Sequence, residues 1–356
     1  MKTTLPRPIG PSRRPRMEVV VPCYNYGKFL PGCVDSILDQ RGIDVVVTIV
    51  DDASPDGSGV VADAIAEGDG RVSVLHNSTN LGMVGTFNRG VSQVDSDYML
   101  LISADDMVAP GALTRAVALM EAYPTVGLVY GHAQKFIDEP RTRRAFPFET
   151  WSIWEGHEWI GTQLGRAWSN ISSPEAVVRT TVQHTVGLYD AGLPHTLDVE
   201  MWLRIAAVAD VGHINGVDQA YYRRQPASYS AAFSAYRDIE ERWRAYDQFL
   251  VGWSQRSDAA ALRPRVRSAL VSEALSNLLV DLETGADAET AQLVEVRDLV
   301  QRIDPGASRS ELWSDVETIV DPADGDPTAA YRARRFRRTL ARAVKWRRWH
   351  RARYFG

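Results

Sequence analysis

Two adjacent carboxylates, Asp105 and Asp106, end an apolar run that starts at Leu100, and no other residues in the chain are better placed to do chemistry. Oxygen ligands at the tip of a strand suit a hard divalent cation that keeps open coordination positions. Such a cation neutralises a diphosphate, so the pair points to a nucleotide-linked substrate. Polar side chains gather at comparable places upstream: Cys23-Tyr24-Asn25, Asp51-Asp52-Ala53-Ser54 and the stretch from Asn77 to Gly82. Much further along, Asp198 and Glu200 form a second acidic pair. Two apart on a helix they cannot share a face, so one turns towards a cleft and the other away.

These clusters need a scaffold, and the intervening sequence supplies one. Glu18 to Pro22, Val45 to Asp52, Val72 to His76, Asp97 to Ser103 and Val126 to Tyr130 read as short Val/Ile/Leu-rich strands. Between them, stretches 27–40, 57–68, 83–94 and 110–122 have helical spacing, as in Phe29, Val34, Ile37 and Leu38. Strand alternating with helix predicts a parallel sheet covered on both faces. Open sheets of that kind bind ligands beyond the carboxyl ends of their strands, where all four clusters fall. Neither a G-x-G-x-x-G run nor a Walker sequence is present, which argues against dinucleotide oxidoreductases and P-loop enzymes.

The strings VVVPCYNYGKFL, VTIVDDASPDGSG, NLGMVGTFNRG and YMLLISADDMVAPGAL resemble successive motifs of the family 2 glycosyltransferases. A later string, NISSPEAVVRTTVQHTVGLYDAGLPHTLDVEMWLRIA, is similar to the acceptor-side region of that family, and YYRRQPASYS to the segment that follows it. The resemblance runs collinearly over about residues 18 to 230. It implies an α/β chain with the GT-A nucleotide-sugar-binding fold: a mostly parallel central sheet between helices, here with an α-helical C-terminal extension. The resemblance marks out a GT-A domain at 18–230; composition and spacing outside it add a basic Pro/Arg-rich segment 1–17, a helical accessory region 231–325 and a basic aromatic tail 326–356. Within the GT-A domain, 18–130 is the nucleotide-sugar half and 131–230 the acceptor half.

Carried over position by position, the resemblance assigns Asp52 to the nucleobase and Pro22, Tyr24 and Asn25 to the nucleoside. Asp105 faces the ribose or metal, Asp106 ligates the metal, and Asp198 matches the catalytic base, with Glu200 as the reserve. The implied cofactor is a divalent cation, Mn²⁺ or Mg²⁺. An acceptor hydroxyl is a poor nucleophile, so a carboxylate must take its proton as the anomeric carbon is attacked. The implied reaction is an inverting transfer of one sugar to a glycan, glycolipid or natural-product hydroxyl, of the kind used in cell-surface polysaccharide biosynthesis. A nucleotidyltransferase on a similar sheet is the alternative among enzymes. A non-catalytic nucleotide-sugar-binding or assembly protein is the alternative outside them.

Several residues stay open at this stage. Arg223 and Arg224 suit diphosphate oxygens as guanidinium forks or form an exposed basic pair, and Gln225 stands where many relatives carry a histidine. Asn88 matches the family motif and is placed with the nucleotide-sugar ligands, without a role that its chemistry alone dictates. Trp151, Trp154, Trp159 and Trp168 line an acceptor wall or fill a core. His132, His157, His184 and His195 have no metal-ligand spacing, though His195 lies close to Asp198.

The remaining features bear on surroundings. Cys23 and Cys33 are the only two cysteines, consistent with free thiols in a reducing compartment. No 18-residue apolar segment occurs, and 1–17 lacks the apolar stretch of a signal peptide, so the expected location is cytoplasmic. Processive synthases of the family have a Gln-x-x-Arg-Trp motif; here Ile239 stands at the glutamine position before Arg242-Trp243, which favours single-sugar transfer. From Phe233 on, apolar residues recur at helical spacing up to Ile303. Residues 331–356 hold eleven basic and no acidic residues and 1–17 hold five more, leaving 24 basic against 45 acidic residues, a balance of −21, for the middle. That tail, with aromatics such as Trp346 and Trp349, suits an anionic leaflet, placing the protein peripherally on the inner face of the plasma membrane; otherwise it packs on the acidic body. An acidic body excludes nucleic acid as a partner.

Overall fold

A computed structural model describes residues 1–8, 14–140, 149–167, 169, 171–225, 234–253, 259–284 and 292–320. Trp168 and the tail 326–356 lie outside the described residues. Among these residues the chain forms two compact units, one comprising 1–160 and 171–225, the other 161–167, 169 and 234–320.

In the first unit the strands predicted from the apolar runs form where expected. After β1 (Lys2–Thr4) come β2 (Arg16–Cys23), α1 (Leu30–Leu38), β3 (Asp44–Asp51), α2 (Ser58–Gly68), β4 (Val72–His76), α3 (Gly82–Val91) and β5 (Tyr98–Leu101). Strands β4, β3, β2 and β5 lie side by side in that order, all parallel, so the four polar clusters leave one edge of the sheet. Seven of the eight β2 residues are buried, as a strand covered on both faces requires.

The later elements are β6 (Met107–Val108), α4 (Ala112–Ala122), β7 (Val126–Phe136), β8 (Thr150–Trp154), α5 (Gly156–Arg166), β9 (Val177–Arg179), α6 (Thr180–Val186), α7 (Leu197–Val208) and β10 (Asp210–Arg223). Here the topology is mixed. The three residues of β9 insert antiparallel between β5 and β7, β10 runs parallel to β7, and β8, β1 and β6 join as antiparallel strands. The pairing of β10 with β6 has a direct consequence for function. It brings Tyr221 opposite Met107, so the end of β10 lies beside Asp105 and Asp106.

In the second unit, α8 (Ala235–Gly252), α9 (Ala259–Glu283), α10 (Leu293–Ile303) and α11 (Glu311–Val320) pack as a helical bundle in which α9 touches the other three. The sequence periodicity located the first three and not α11. Arg242 is buried there, donating to Asp238 at 2.8 Å, to both carboxylate oxygens of Glu273 at 2.8 and 3.1 Å and to the Ala167 carbonyl at 2.5 Å. Its role is to hold helices together. Among the described residues no helix is long and apolar enough to cross a membrane.

Helix α3 sits unusually close to the sheet. A methyl group added at Gly90 would lie 2.4 Å from Val20 Cγ1 and 3.0 Å from Val50 Cγ2. Gly90→Ala is therefore expected to overpack this interface and lower stability by about 1–3 kcal/mol. A urea melt checks this: the midpoint falls with an unchanged slope, whereas a wild-type midpoint would show that α3 is not seated on β2 and β3.

Candidate active site

The end of the site expected to take the nucleotide is two loops hooked together. At the end of β2 the Asp52 N–H donates to the Cys23 carbonyl at 2.9 Å, the Asn25 N–H to Ser54 Oγ at 3.2 Å and the Gly27 N–H to Ser58 Oγ at 2.7 Å. Asn25 and Ala53 have left-handed backbones, with φ of 60° and 56°. Such conformations cost on the order of 1 kcal/mol each and cluster at binding sites. Pro22 is buried in the strand and Tyr24 is 44% exposed at the rim. Asp52 is only 3% exposed; its Oδ1 accepts from Asn77 Nδ2 at 2.6 Å and the Leu81 N–H at 2.7 Å, while Oδ2 has no hydrogen bond among the described residues. Asn77 is oriented in turn by Thr86, at 3.1 Å, and by Arg89. Asp51 instead faces His76 at 3.4 Å, a structural contact.

The acidic pair lies two strands away on the same edge. Asp105 and Asp106 are 8% and 3% exposed. Burial raises both carboxyls above the ordinary carboxylate range, Asp106 well above it, with the charge of Asp105 as the next cause for Asp106. Gln225 Nε2 donates to Asp105 Oδ2 at 2.8 Å, and the Arg223 N–H donates to Asp106 Oδ1 at 2.8 Å. The Arg223 guanidinium, however, is aimed at backbone carbonyls, those of Asp105, Ile137 and Asp138 at 3.0 to 3.2 Å, and stacks between the rings of Phe29 and Phe136. It fastens the acidic loop to the end of β7; among the described residues no side-chain cation forms an ion pair with either carboxylate, and the Arg223 charge only partly offsets their burial. Arg224 is exposed beside it. Tyr26 is a further neighbour, its hydroxyl made less acidic by burial and then by both carboxylates.

Asp198 and Glu200 separate as helix geometry requires. In the first turn of α7, buried Glu200 accepts from Arg204 Nε at 2.7 Å. Asp198 keeps part of its surface open to solvent and accepts from Ser173 Oγ at 3.1 Å and the Val199 N–H at 2.7 Å. Protein surrounds the carboxyl on most sides, and this desolvation pushes it up to about 6 against the lowering effect of those hydrogen bonds and of His195. Ser173 belongs to a 3₁₀ turn, Ser173–Glu175, that packs against β5, β6, β7 and β10. Since β6 starts at the residue after Asp106, one turn connects the environment of the acidic pair to Asp198.

Other expected site residues fall elsewhere. Trp151, Trp154 and Trp159 are 1%, 9% and 3% exposed and pack edge-on against Tyr123, His213 and Tyr130, so they fill the interior rather than wall an acceptor cleft. His132 is a buried partner of Asp218 at 2.6 Å. Asn88 gives its whole amide to the backbone of Tyr189. Sequence reasoning did not find Ser173 or the rings around Arg223, and it named Asn77 only as the start of a polar cluster. Only Ser172-x-x-Glu175, with the Ser172 N–H donating to Glu175 Oε1 at 2.8 Å, left a capping signature that marks the Ser173 turn.

The model of the family described as glycosyl transferase family 2 matches residues 18–173, which span every cluster of the nucleotide end and the acidic pair. This region belongs to glycosyl transferase family 2. Among relatives of the family 2 region, the glycosyltransferase GlyG of Streptococcus pneumoniae is 40% identical over 92 residues, 26% of this chain and 31% of GlyG. A PGL/p-HBAD biosynthesis glycosyltransferase of Mycobacterium tuberculosis is 30% identical over 118 residues, 33% of this chain and 46% of that protein. The matched segments thus span less than half the length of these relatives. The fold extends further: S. aureus TarS 1–349, solved with UDP-GlcNAc, superposes with a TM-score of 0.62 at 14% identity, covering 86% of this chain and 90% of that one. The family 2 region therefore sits in a GT-A fold, as the strand-end clusters imply.

The raised carboxyl of Asp198 has a sign that stability measurements read. Its folded-state pKa lies above the ordinary 3.8, so the folded protein holds this proton more tightly than the unfolded chain. Stability is lost as pH rises through the window from about 4 to about 6, and the full cost persists above it. Asp198→Asn is expected to raise stability at pH 7 by up to about 3 kcal/mol and to have little effect at pH 4. Equal effects of the substitution at both pH values would show that the carboxyl is not desolvated.

Proposed function

We propose that the protein transfers one sugar from a nucleoside-diphosphate donor to an acceptor hydroxyl with inversion at the anomeric carbon. The observation that carries this reading is the juxtaposition, through the Ser173 turn, of a buried, mutually repelling carboxylate pair and a carboxyl near neutral pKa. A transfer needs both: something to draw the diphosphate in and something to take the hydroxyl proton. The family match, a family 2 glycosyltransferase, supports the same reading.

Asp105 and Asp106 fit a divalent cation by their chemistry. They are hard oxygen donors, buried, mutually repelling, and each has one carboxylate oxygen engaged by Gln225 or Arg223. Asp106, with Asp105, would hold Mg²⁺ or Mn²⁺, which when bound neutralises charge on the leaving diphosphate. One structural neighbour, a Pyrobaculum calidifontis mannosyltransferase with a TM-score of 0.50, was solved with GDP-Man and Mn²⁺. Arg224 is placed to meet phosphate oxygens from the rim, while Arg223 holds the loop. Pro22, Tyr24 and Asn25 would line the nucleoside. Asp52 has one acceptor oxygen left for the base. A single acceptor suits the imide N–H of uracil or thymine better than the two-donor edge of guanine, so uridine or thymidine donors are favoured.

Asp198 then serves as general base. Ionised above pH 6, it accepts the acceptor's proton while the hydroxyl oxygen bonds to the anomeric carbon and the bond to the diphosphate breaks. The acceptor is a glycan, a glycolipid or a natural product. The basic stretch 331–356, outside the described residues, would dock at anionic lipid headgroups if that acceptor is lipid-linked.

Donor turnover tests the whole reading. With Mn²⁺ or Mg²⁺ the protein should release free nucleoside diphosphate, and release of pyrophosphate would contradict it. Asp106→Ala should abolish turnover. Asp198→Asn should lose transfer by about 100-fold or more while retaining donor binding. The rate should rise with pH through about 6 as Asp198 loses its proton. UDP and dTDP should raise the melting temperature more than GDP does. Loss of donor affinity in Asp198→Asn would mean that another group is the base.

A further inference from the structure

Helix α3 touches both ends of the site. At its start, the Leu81 N–H holds Asp52 Oδ1 at 2.7 Å. Near its end, Asn88 closes a two-point clasp on the backbone of Tyr189: Asn88 Nδ2 donates to the Tyr189 carbonyl at 2.9 Å and Asn88 Oδ1 accepts from the Tyr189 N–H at 2.8 Å. The Phe87 ring meets the Tyr189 ring edge-on, with centroids 6.1 Å apart. Two opposed hydrogen bonds on one residue fix its orientation as well as its position, which a single bond does not.

The same short strap is held from its other side by α7. Arg204 donates to the carbonyls of Val186 and, at 2.8 Å, Leu188, while its Nε binds Glu200 at 2.7 Å. Residues 186–189 are thus clamped between α3 and the helix that bears Asp198. The Tyr189 hydroxyl is made less acidic first by burial and then by the charge of Asp198, with Arg204 acting the other way. Ser173 and the Val199 N–H hydrogen-bond Asp198, and His195 and Tyr189 interact with it through charge.

We infer that Asn88 is a positioning residue, which through Tyr189 holds the desolvated wall against which Asp198 works. The inference rests on the reading of Asp198 as base for its kinetic part and stands apart from it for its structural part. The Asn88 amide is engaged by the Tyr189 backbone through both its nitrogen and its oxygen. The side chain is placed with the motif of the nucleotide half, yet its amide acts on the acceptor half.

The test uses the full chain with Asn88→Ala and the isosteric Asn88→Asp, which keeps an acceptor for the Tyr189 N–H and loses the donor to its carbonyl. Both variants should turn over a nucleotide sugar at least tenfold more slowly at saturation, with KM for the donor within twofold of wild type. The Asp198 carboxyl, followed by ¹³C NMR, should titrate lower than in wild type as water reaches it, and amide exchange should accelerate across 186–189. A purely structural role would instead lower donor affinity and turnover together with the melting temperature. Wild-type turnover and an unmoved Asp198 titration in a folded Asn88→Asp would overturn the proposal, whatever Asn88→Ala does. If the wild type shows no donor turnover at all, the transferase reading fails, and the titration and exchange still decide the clasp.

Discussion

Two carboxylates forced side by side and away from water repel each other and forfeit their hydration, and a fold tolerates this only where something else gains from it. Asp105 and Asp106 are in that situation at the end of β5. The surrounding structure keeps them there without relieving them. The Arg223 backbone and Gln225 each satisfy one oxygen, while the Arg223 guanidinium is diverted to carbonyls and aromatic rings. Direct pairing with that guanidinium would neutralise the site and leave little for a cation to do. The diversion leaves the strain of two buried, repelling carboxyls largely in place, and the proposed cation site rests on it.

The placement of that pair depends on how two kinds of sheet meet. Parallel strands β4, β3, β2 and β5 bring their polar ends to one edge, and the antiparallel pairing of β6 with β10 brings the end of β10 back to the same place. Asp198, the proposed base, comes from outside the sheet, on α7, which is tied in by the Ser173 turn on one side and by the strap held by Asn88 on the other. The geometry of the candidate site therefore depends on contacts between elements far apart in sequence, such as the 101 residues separating Asn88 from Tyr189.

This explains what could be read from the chain alone. Strands β2, β3, β4, β5 and β7 are apolar runs bounded by polar turns, and α1 to α4 keep helical spacing, so local pattern sufficed. β9, three residues long, and β6, two, have no periodicity to detect; their pairing is dictated by partners elsewhere in the sheet. Side-chain identity, with the family resemblance, singled out Asp105, Asp106, Asp52 and Asp198 as candidates, because carboxylates are conspicuous. It did not show which way they face: the divergence of Asp198 from Glu200 followed from helix geometry, but the diversion of Arg223 and the amide clasp of Asn88 are tertiary choices. The tryptophans show the converse. Their large apolar surfaces are buried at Trp151 and Trp159, and nothing in their spacing distinguishes a core from a sugar-binding wall.

Calorimetric titration of UDP into the protein, with Mn²⁺ and then with the cation chelated, addresses the acidic pair most directly. Binding at least tenfold tighter with the cation is expected, and that cation dependence should disappear in Asp106→Asn while weak, cation-independent binding through the nucleoside end survives. Equal affinity for UDP with and without the cation in the wild type, or an unchanged cation dependence in Asp106→Asn, would contradict the account.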